Sequence, residues 1–188
     1  MTLQLSLFDE PCPATPQRKA TKGFSESALR VSTQLEVGRA AEYLVCADLI
    51  LNGWTAFLTD QGVPYDVLVD TGPERIRIQV KSTLAPKWPA QQERTPAYLY
   101  HPRRAGRGGR RIYGDDEFDI FAFVALDRRL IAYFAVPELP RQCLVIRIPG
   151  IHYGARSRSS REFEGATFAR ALDIWRLSLE ISAARDRP

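Results

Sequence analysis

PYDVLVDTGPERIRIQVKST, residues 64–83, decides how the rest of the chain is read. Two runs with strand-like character, YDVLVD (65–70) and RIRIQVKS (75–82), are separated by the turn residues Gly72 and Pro73, close enough to pair as a hairpin. In the second run Ile76, Ile78 and Val80 fall on one face, and Arg75, Arg77, Gln79 and Lys81 on the other. Asp66 stands at the start of the first run, behind Pro64-Tyr65, so the hairpin brings it beside Gln79 and Lys81.

Upstream, from about Leu35 to Leu51, the residues Val37, Ala41, Leu44, Val45 and Leu49 recur with a helical period, and Asn52-Gly53 supply a stop. Glu42 lies on that helix, on a stripe with Gly38, Val45 and Leu49. A helix packed on the Gln79/Lys81 face of the hairpin would deliver Glu42 to the same place. TAFLT (55–59) reads as one more strand. Downstream, a long irregular segment at about 84–117 precedes two strand runs, FDIFAFVAL and RLIAYFAVP, with Asp127-Arg128-Arg129 as their turn. CLVIRI (143–148) reads as a further short strand. The closing segment is a helix whose stripe of Phe168, Leu172, Trp175 and Leu179 is spaced for core packing. This order predicts an α/β fold with a mixed sheet flanked by helices.

Carboxylate and amide oxygens are hard ligands of the kind that Mg²⁺ takes, and Mg²⁺ keeps several waters of its own. Such a metal acidifies a bound water and offsets charge on a phosphate. A neighbouring lysine can orient the water or stabilise the charged transition state. Taken singly, a helix Glu is usually solvated, a strand-start Asp usually caps a turn and a strand Lys usually faces solvent. The ordered set on helix, strand and strand is what suggests phosphodiester chemistry.

GRAAEYLVCADLILNGW (38–54), PYDVLVD (64–70) and IRIQVKST (76–83) together resemble the PD-(D/E)XK nuclease superfamily. The likeness is nearest to its branch of small bacterial and group I intron-associated endonucleases. It covers about residues 36–83 and extends loosely over FDIFAFVALDRRLIAYFAVPEL (118–139). The resemblance implies a restriction-endonuclease-like mixed sheet and an Mg²⁺-dependent DNA endonuclease, with Mn²⁺ as a substitute. It assigns Glu42, Asp66 and Gln79 to the metal and Lys81 to catalysis. Two residues depart from the pattern: Tyr65 stands between the proline and Asp66, and Gln79 offers a neutral carbonyl where most members carry an acid. Some members share the glutamine. Nucleases of this kind often cut both strands as homodimers, though no interface is legible here.

Composition suits one globular domain, with 188 residues, 45% of them hydrophobic and 26% charged. Three cysteines without ligand-like spacing (Cys12, Cys46, Cys143) argue against a disulfide framework or a zinc site and for a reducing compartment. With neither a spanning apolar run nor a secretory leader in view, the expected location is the cytoplasm. The net charge of +4 is weak as a total, but its distribution is informative. Lys87, Arg94, Arg103, Arg104, Arg107, Arg110 and Arg111 crowd one glycine-containing segment with only Glu93 opposing them. That suits contact with DNA backbone phosphates and little sequence discrimination.

Residues 1–26 read as a flexible tail preceding a domain at 27–188. Within the tail, Gln4-Leu5-Ser6-Leu7-Phe8 resembles the peptide by which bacterial replication and repair proteins bind the sliding clamp: Leu5, Leu7 and Phe8 are apolar anchors, and Gln4 is a hydrogen-bonding edge. Such docking raises the local concentration of a tethered domain on DNA. Gln79 motivates a competing reading, a catalytically inactive nuclease-fold DNA-binding module. The Arg/Gly-rich segment motivates another, an endonuclease for structured RNA.

Overall fold

A computed structural model of the chain describes residues 33–60, 62–87, 95–106, 109–111, 113–114, 116–140, 143–153 and 160–185, with backbone alone at Thr33, 104–106, 109–111 and Ser160. Helix α1 (Thr33–Leu51) leads into strands β1 (Thr55–Leu58), β2 (Val67–Asp70) and β3 (Arg75–Thr83). Three short strands follow: β4 (Ala97–Tyr100), β5 (Arg104–Gly106) and β6 (Gly109–Arg111). Strands β7 (Ile120–Ala125) and β8 (Leu130–Ala135), then β9 (Leu144–Arg147) and β10 (Ser160–Arg161), lead to helix α2 (Phe168–Arg185).

The main sheet has the order β1-β2-β3-β7-β8. Its β3–β7 pair is parallel and its other pairs are antiparallel. The sheet is therefore mixed, as the alternation of the runs predicted. Helix α1 ends where Asn52-Gly53 predicts. Gly53 takes a left-handed φ of 86°, and the Asn52 side-chain amide donates to the Asp48 carbonyl at 2.8 Å, closing the last turn.

One face of the sheet carries aliphatic residues and receives both helices. Ile76, Ile78 and Val80 of β3 and Ile120, Ala122 and Val124 of β7 pack with Ala41, Val45 and Leu49 of α1 and with Phe168, Ala171 and Leu172 of α2. The other face is aromatic. Phe121, Phe123 and Phe134 meet Tyr98, Tyr100, Leu144 and Ile146 of a second sheet, ordered β10-β9-β4. Strand β7 is buried along its whole length, as a strand covered on both faces must be.

Three expectations are corrected. Helix α1 packs on the Ile76/Ile78/Val80 face of β3, opposite to Gln79 and Lys81; the aliphatic stripe of α1 seeks the aliphatic face of the sheet, and the aromatic face goes to the second sheet. The segment 84–117 is not irregular throughout. It holds β4, whose ladder partner is the distant β9, a partner that leaves no local signature, and the short two-stranded ribbon β5–β6. In the C-terminal helix, Phe168 and Leu172 are buried and Trp175 packs at the edge of the core, but Leu179 is 50% exposed, because the buried residues of α2 are confined to its first turns. Of the cysteines, Cys46 is buried and free while Cys143 is only partly covered. Cys12 lies outside the described residues. Among the described residues no helix is long and apolar enough to cross a membrane.

A buried hydroxyl ties α1 to the far side of the sheet: Tyr133 of β8 donates to Asp48 Oδ2 at 2.7 Å. Burial, together with that carboxylate, pushes the phenol far above its ordinary pKa. Tyr133→Phe keeps the ring and loses the bond. It is expected to cost about 1–2 kcal/mol of unfolding free energy, measured by urea denaturation; an unchanged midpoint would show the bond to be inert.

Candidate active site

Strand β3 runs on past the start of β2, whose first residue, Val67, pairs with Ile78. The backbone N–H of Asp66 still reaches the Ile78 carbonyl at 2.8 Å. Beyond it stands Pro64, which has no N–H to offer. The Val80 N–H, left without a ladder partner on this side, donates instead to Asp66 Oδ2 at 2.7 Å. Gln79 Nε2 donates to the same oxygen and also to the Val80 carbonyl, the latter at 3.3 Å. Both groups facing this atom are acceptors, so it is the amide nitrogen. Among the described residues nothing donates to Asp66 Oδ1, and Asp66 lines a cleft.

Asp66 carries a raised pKa. Burial is the main cause, and the negative charge of Glu42 adds to it; the Val80 N–H, Lys81 and Gln79 pull the other way. Glu42, on α1, thus acts on Asp66 electrostatically. Its carboxylate is engaged by Arg39 Nη1 at 2.8 Å, and it is not part of the cleft wall.

The cleft has a volume of about 1160 Å³. It is lined by Gln79, Lys81, Ser82 and Thr83 of β3, by Asp66 and the turn before it, and by Lys87, Tyr100 and Arg103, with Gln34 and Leu35 of α1 at its edge. Of the predicted site residues, Asp66, Gln79 and Lys81 converge here, and the predicted phosphate contacts Lys87 and Arg103 line the same space. Arg104 and Arg111 face each other in register on the β5–β6 ribbon, next to Arg110 opposite Ala105; their side chains lie outside the described residues. Arg94, Arg107 and the peptide Gln4, Leu5, Ser6, Leu7 and Phe8 lie outside them altogether.

One wall residue escaped the sequence reading. Tyr113 follows the ribbon, and its hydroxyl accepts a bond from Lys81 Nζ at 2.5 Å. No periodic pattern surrounds Tyr113, so only the folded chain reveals it. His101 is exposed and also lines the cleft. At the other end of β3, Arg77 grips the buried Asp119: Nη2 donates to Oδ1 at 2.8 Å and Nε to Oδ2 at 3.1 Å. That acid therefore serves the sheet and not the basic segment.

Among the described residues no group of three His, Cys, Asp or Glu side chains is placed to hold a metal ion. The donor set is smaller: one half-buried carboxylate with an oxygen that accepts no bond among the described residues, a second carboxylate nearby in electrostatic reach, and an amide. That set fits a hard divalent cation that keeps most of its waters, because one or two carboxylates suffice for such an ion. It does not fit a structural zinc site, which needs four protein ligands of the Cys/His type.

No protein-family model matches the chain, and no curated protein matches its sequence. Among solved structures, it is similar to a bacterial homing endonuclease, I-Ssp6803I. The TM-score is 0.54 at 21% identity, over 84% of this chain and 100% of that one. The two share a nuclease-like α/β fold, and at this identity the likeness is one of fold.

The direction of the Asp66 shift fixes a sign. A carboxyl whose folded pKa lies above its unfolded value favours the folded state fully at pH below the unfolded pKa, and that contribution is lost as pH rises through the folded pKa. Asp66→Asn keeps an acceptor for the Val80 N–H and carries no charge. Without divalent cations it is expected to melt several degrees above the native protein at pH 7, with the gap closing as pH falls through the carboxylate range. Added Mg²⁺ should raise the native melting temperature but not the variant's. Equal melting temperatures at pH 7 in both conditions would refute the account of Asp66 as a strained carboxylate awaiting a cation.

Proposed function

We propose that the chain is a metal-dependent DNA endonuclease of the PD-(D/E)XK kind, working in the cytoplasm on DNA under replication, repair or recombination. The observation that carries this is the convergence of Asp66, Gln79 and Lys81 on one open cleft that Lys87 and Arg103 also line. Asp66, with Glu42 and the Gln79 side chain, would hold Mg²⁺, or Mn²⁺ in its place. Once bound, such a cation supplies an acidified water and offsets charge on the scissile phosphate.

The chain's own residues do the rest. Gln79 and the Val80 N–H fix the Asp66 carboxylate. Lys81 stabilises the charge that gathers on the phosphate oxygens as the bond breaks. Lys87 and Arg103 take neighbouring backbone phosphates, and Arg94, Arg104, Arg107, Arg110 and Arg111 extend that contact along the duplex. The peptide at residues 4–8 recruits the domain to a bacterial sliding clamp, and a second copy of the chain would serve the second strand.

A second reading has its own observation. Gln79 turns its amide nitrogen, a group that cannot ligate a metal, towards Asp66. On that reading the site keeps only two carboxylates and the protein is a DNA-binding module without catalysis.

The two readings separate when purified protein meets a panel of linear, nicked, mismatched, flapped and branched DNAs and a structured RNA, with Mg²⁺ or Mn²⁺. The endonuclease reading expects metal-dependent cutting of DNA that falls at least about 100-fold in Asp66→Ala and Lys81→Ala. Binding without cutting, alike in all three proteins, leaves the non-catalytic module, and preferential cutting of RNA would change the substrate. Clamp recruitment predicts that a purified bacterial sliding clamp binds the native chain and loses it when Leu7 and Phe8 become Ala.

A further inference from the structure

A lysine at the rim of a cleft has four rotatable bonds and no fixed address, and confining its side chain costs rotamer entropy. Lys81 nevertheless has a built support. Tyr113 Oη lies 2.5 Å from its Nζ, and Nζ also stands over the Tyr113 ring, 4.9 Å from its centroid. Tyr113 is itself immobilised edge-on against two rings of the aromatic layer: Phe118 with centroids 4.8 Å apart and Phe121 at 5.9 Å. Phe118 and Phe121 pack edge-to-face at 4.6 Å in turn. Phe121 is the β7 residue in register with Gln79, and Phe123 the one in register with Lys81. The shelf that carries Tyr113 thus belongs to the strand paired with the candidate catalytic strand, and the Tyr113 hydroxyl points out of that shelf into the cleft wall.

We propose that Tyr113 is the positioning residue for Lys81. Its hydroxyl fixes the amine in the cleft, beside the Asp66–Gln79 pair, where a phosphate oxygen would be met. This role rests on the endonuclease reading for its consequence in catalysis, but the grip on Lys81 exists without substrate and can be measured without it.

Tyr113→Phe keeps the ring in its aromatic shelf and removes only the hydroxyl. In the DNA-free, full-length protein, the acylation rate of Lys81 by an amine-reactive ester at fixed pH, followed by mass spectrometry, is expected to rise several-fold in the variant, with the melting temperature unchanged. On the best DNA of the panel, kcat should fall roughly 10- to 100-fold with KM little changed. The double variant Tyr113→Phe/Lys81→Ala should be no slower than Lys81→Ala alone, as for residues acting as one unit. An unchanged acylation rate overturns the proposal whatever the activity, and so does altered reactivity with native kcat. If the native protein cuts nothing, the endonuclease reading fails and the role in catalysis fails with it, while Lys81 reactivity still reports whether Tyr113 holds the amine.

Discussion

The arrangement depends on one carboxylate standing in for a missing strand. Strand β3 extends past the point where β2 stops pairing, and a strand edge left in a protein interior must find partners for its N–H groups. Asp66 supplies the partner for Val80 at 2.7 Å. It can do so only because Pro64 ends the β2 ladder next door and the chain turns away there. The same break that requires a carboxylate also opens the space beside it. A strand pair of equal lengths would have neither the acid nor the cleft.

The two faces of the main sheet divide the work. The aliphatic face, shared by α1 and α2, is closed packing and holds the fold. The aromatic face is built of larger rings whose polar tips need partners. Tyr98 meets Asp127 at 2.9 Å, Tyr113 meets Lys81, and the buried Tyr100 hydroxyl has no bonding partner among the described residues. Chemistry gathers where the aromatic layer thins out along β3. Gln79 and Lys81 alternate there with Ile78 and Val80, so one strand serves the core with one face and the cleft with the other.

Much of this was legible because period-two alternation is a local property. The hairpin, the pairing of Asp66 with Gln79, the β7–β8 turn and the glycine stop of α1 could each be read from a few neighbouring residues. What escaped was set by partners far away in the chain. Strand β4 exists because β9 pairs with it, and nothing in AYLY announces that. The side of the sheet that α1 chose depended on the aromatic residues of β7 claiming the other side. Tyr113 was invisible for the same reason, since its meaning comes from Lys81 on another strand and from rings at 118 and 121. Leu179 was misplaced because helical spacing says which residues share a stripe, but not how far along the helix the core extends.

The parallel pairing of β3 with β7 has a consequence in time. Parallel strands cannot be joined by a tight turn, so the whole stretch from Leu84 to Asp119, with β4 and the β5–β6 ribbon inside it, lies between them. A ribosome releases the hairpin of β2 and β3 first, and Asp66 and Gln79 can meet there by closing one short loop. Lys81 acquires Tyr113 only after β7 has docked, a contact of long sequence separation that forms late. A nascent or prematurely ended chain would hold the acid and the amide without a seated amine. On the endonuclease reading, a half-made copy emerging beside nucleic acid in the cell is disarmed by topology alone.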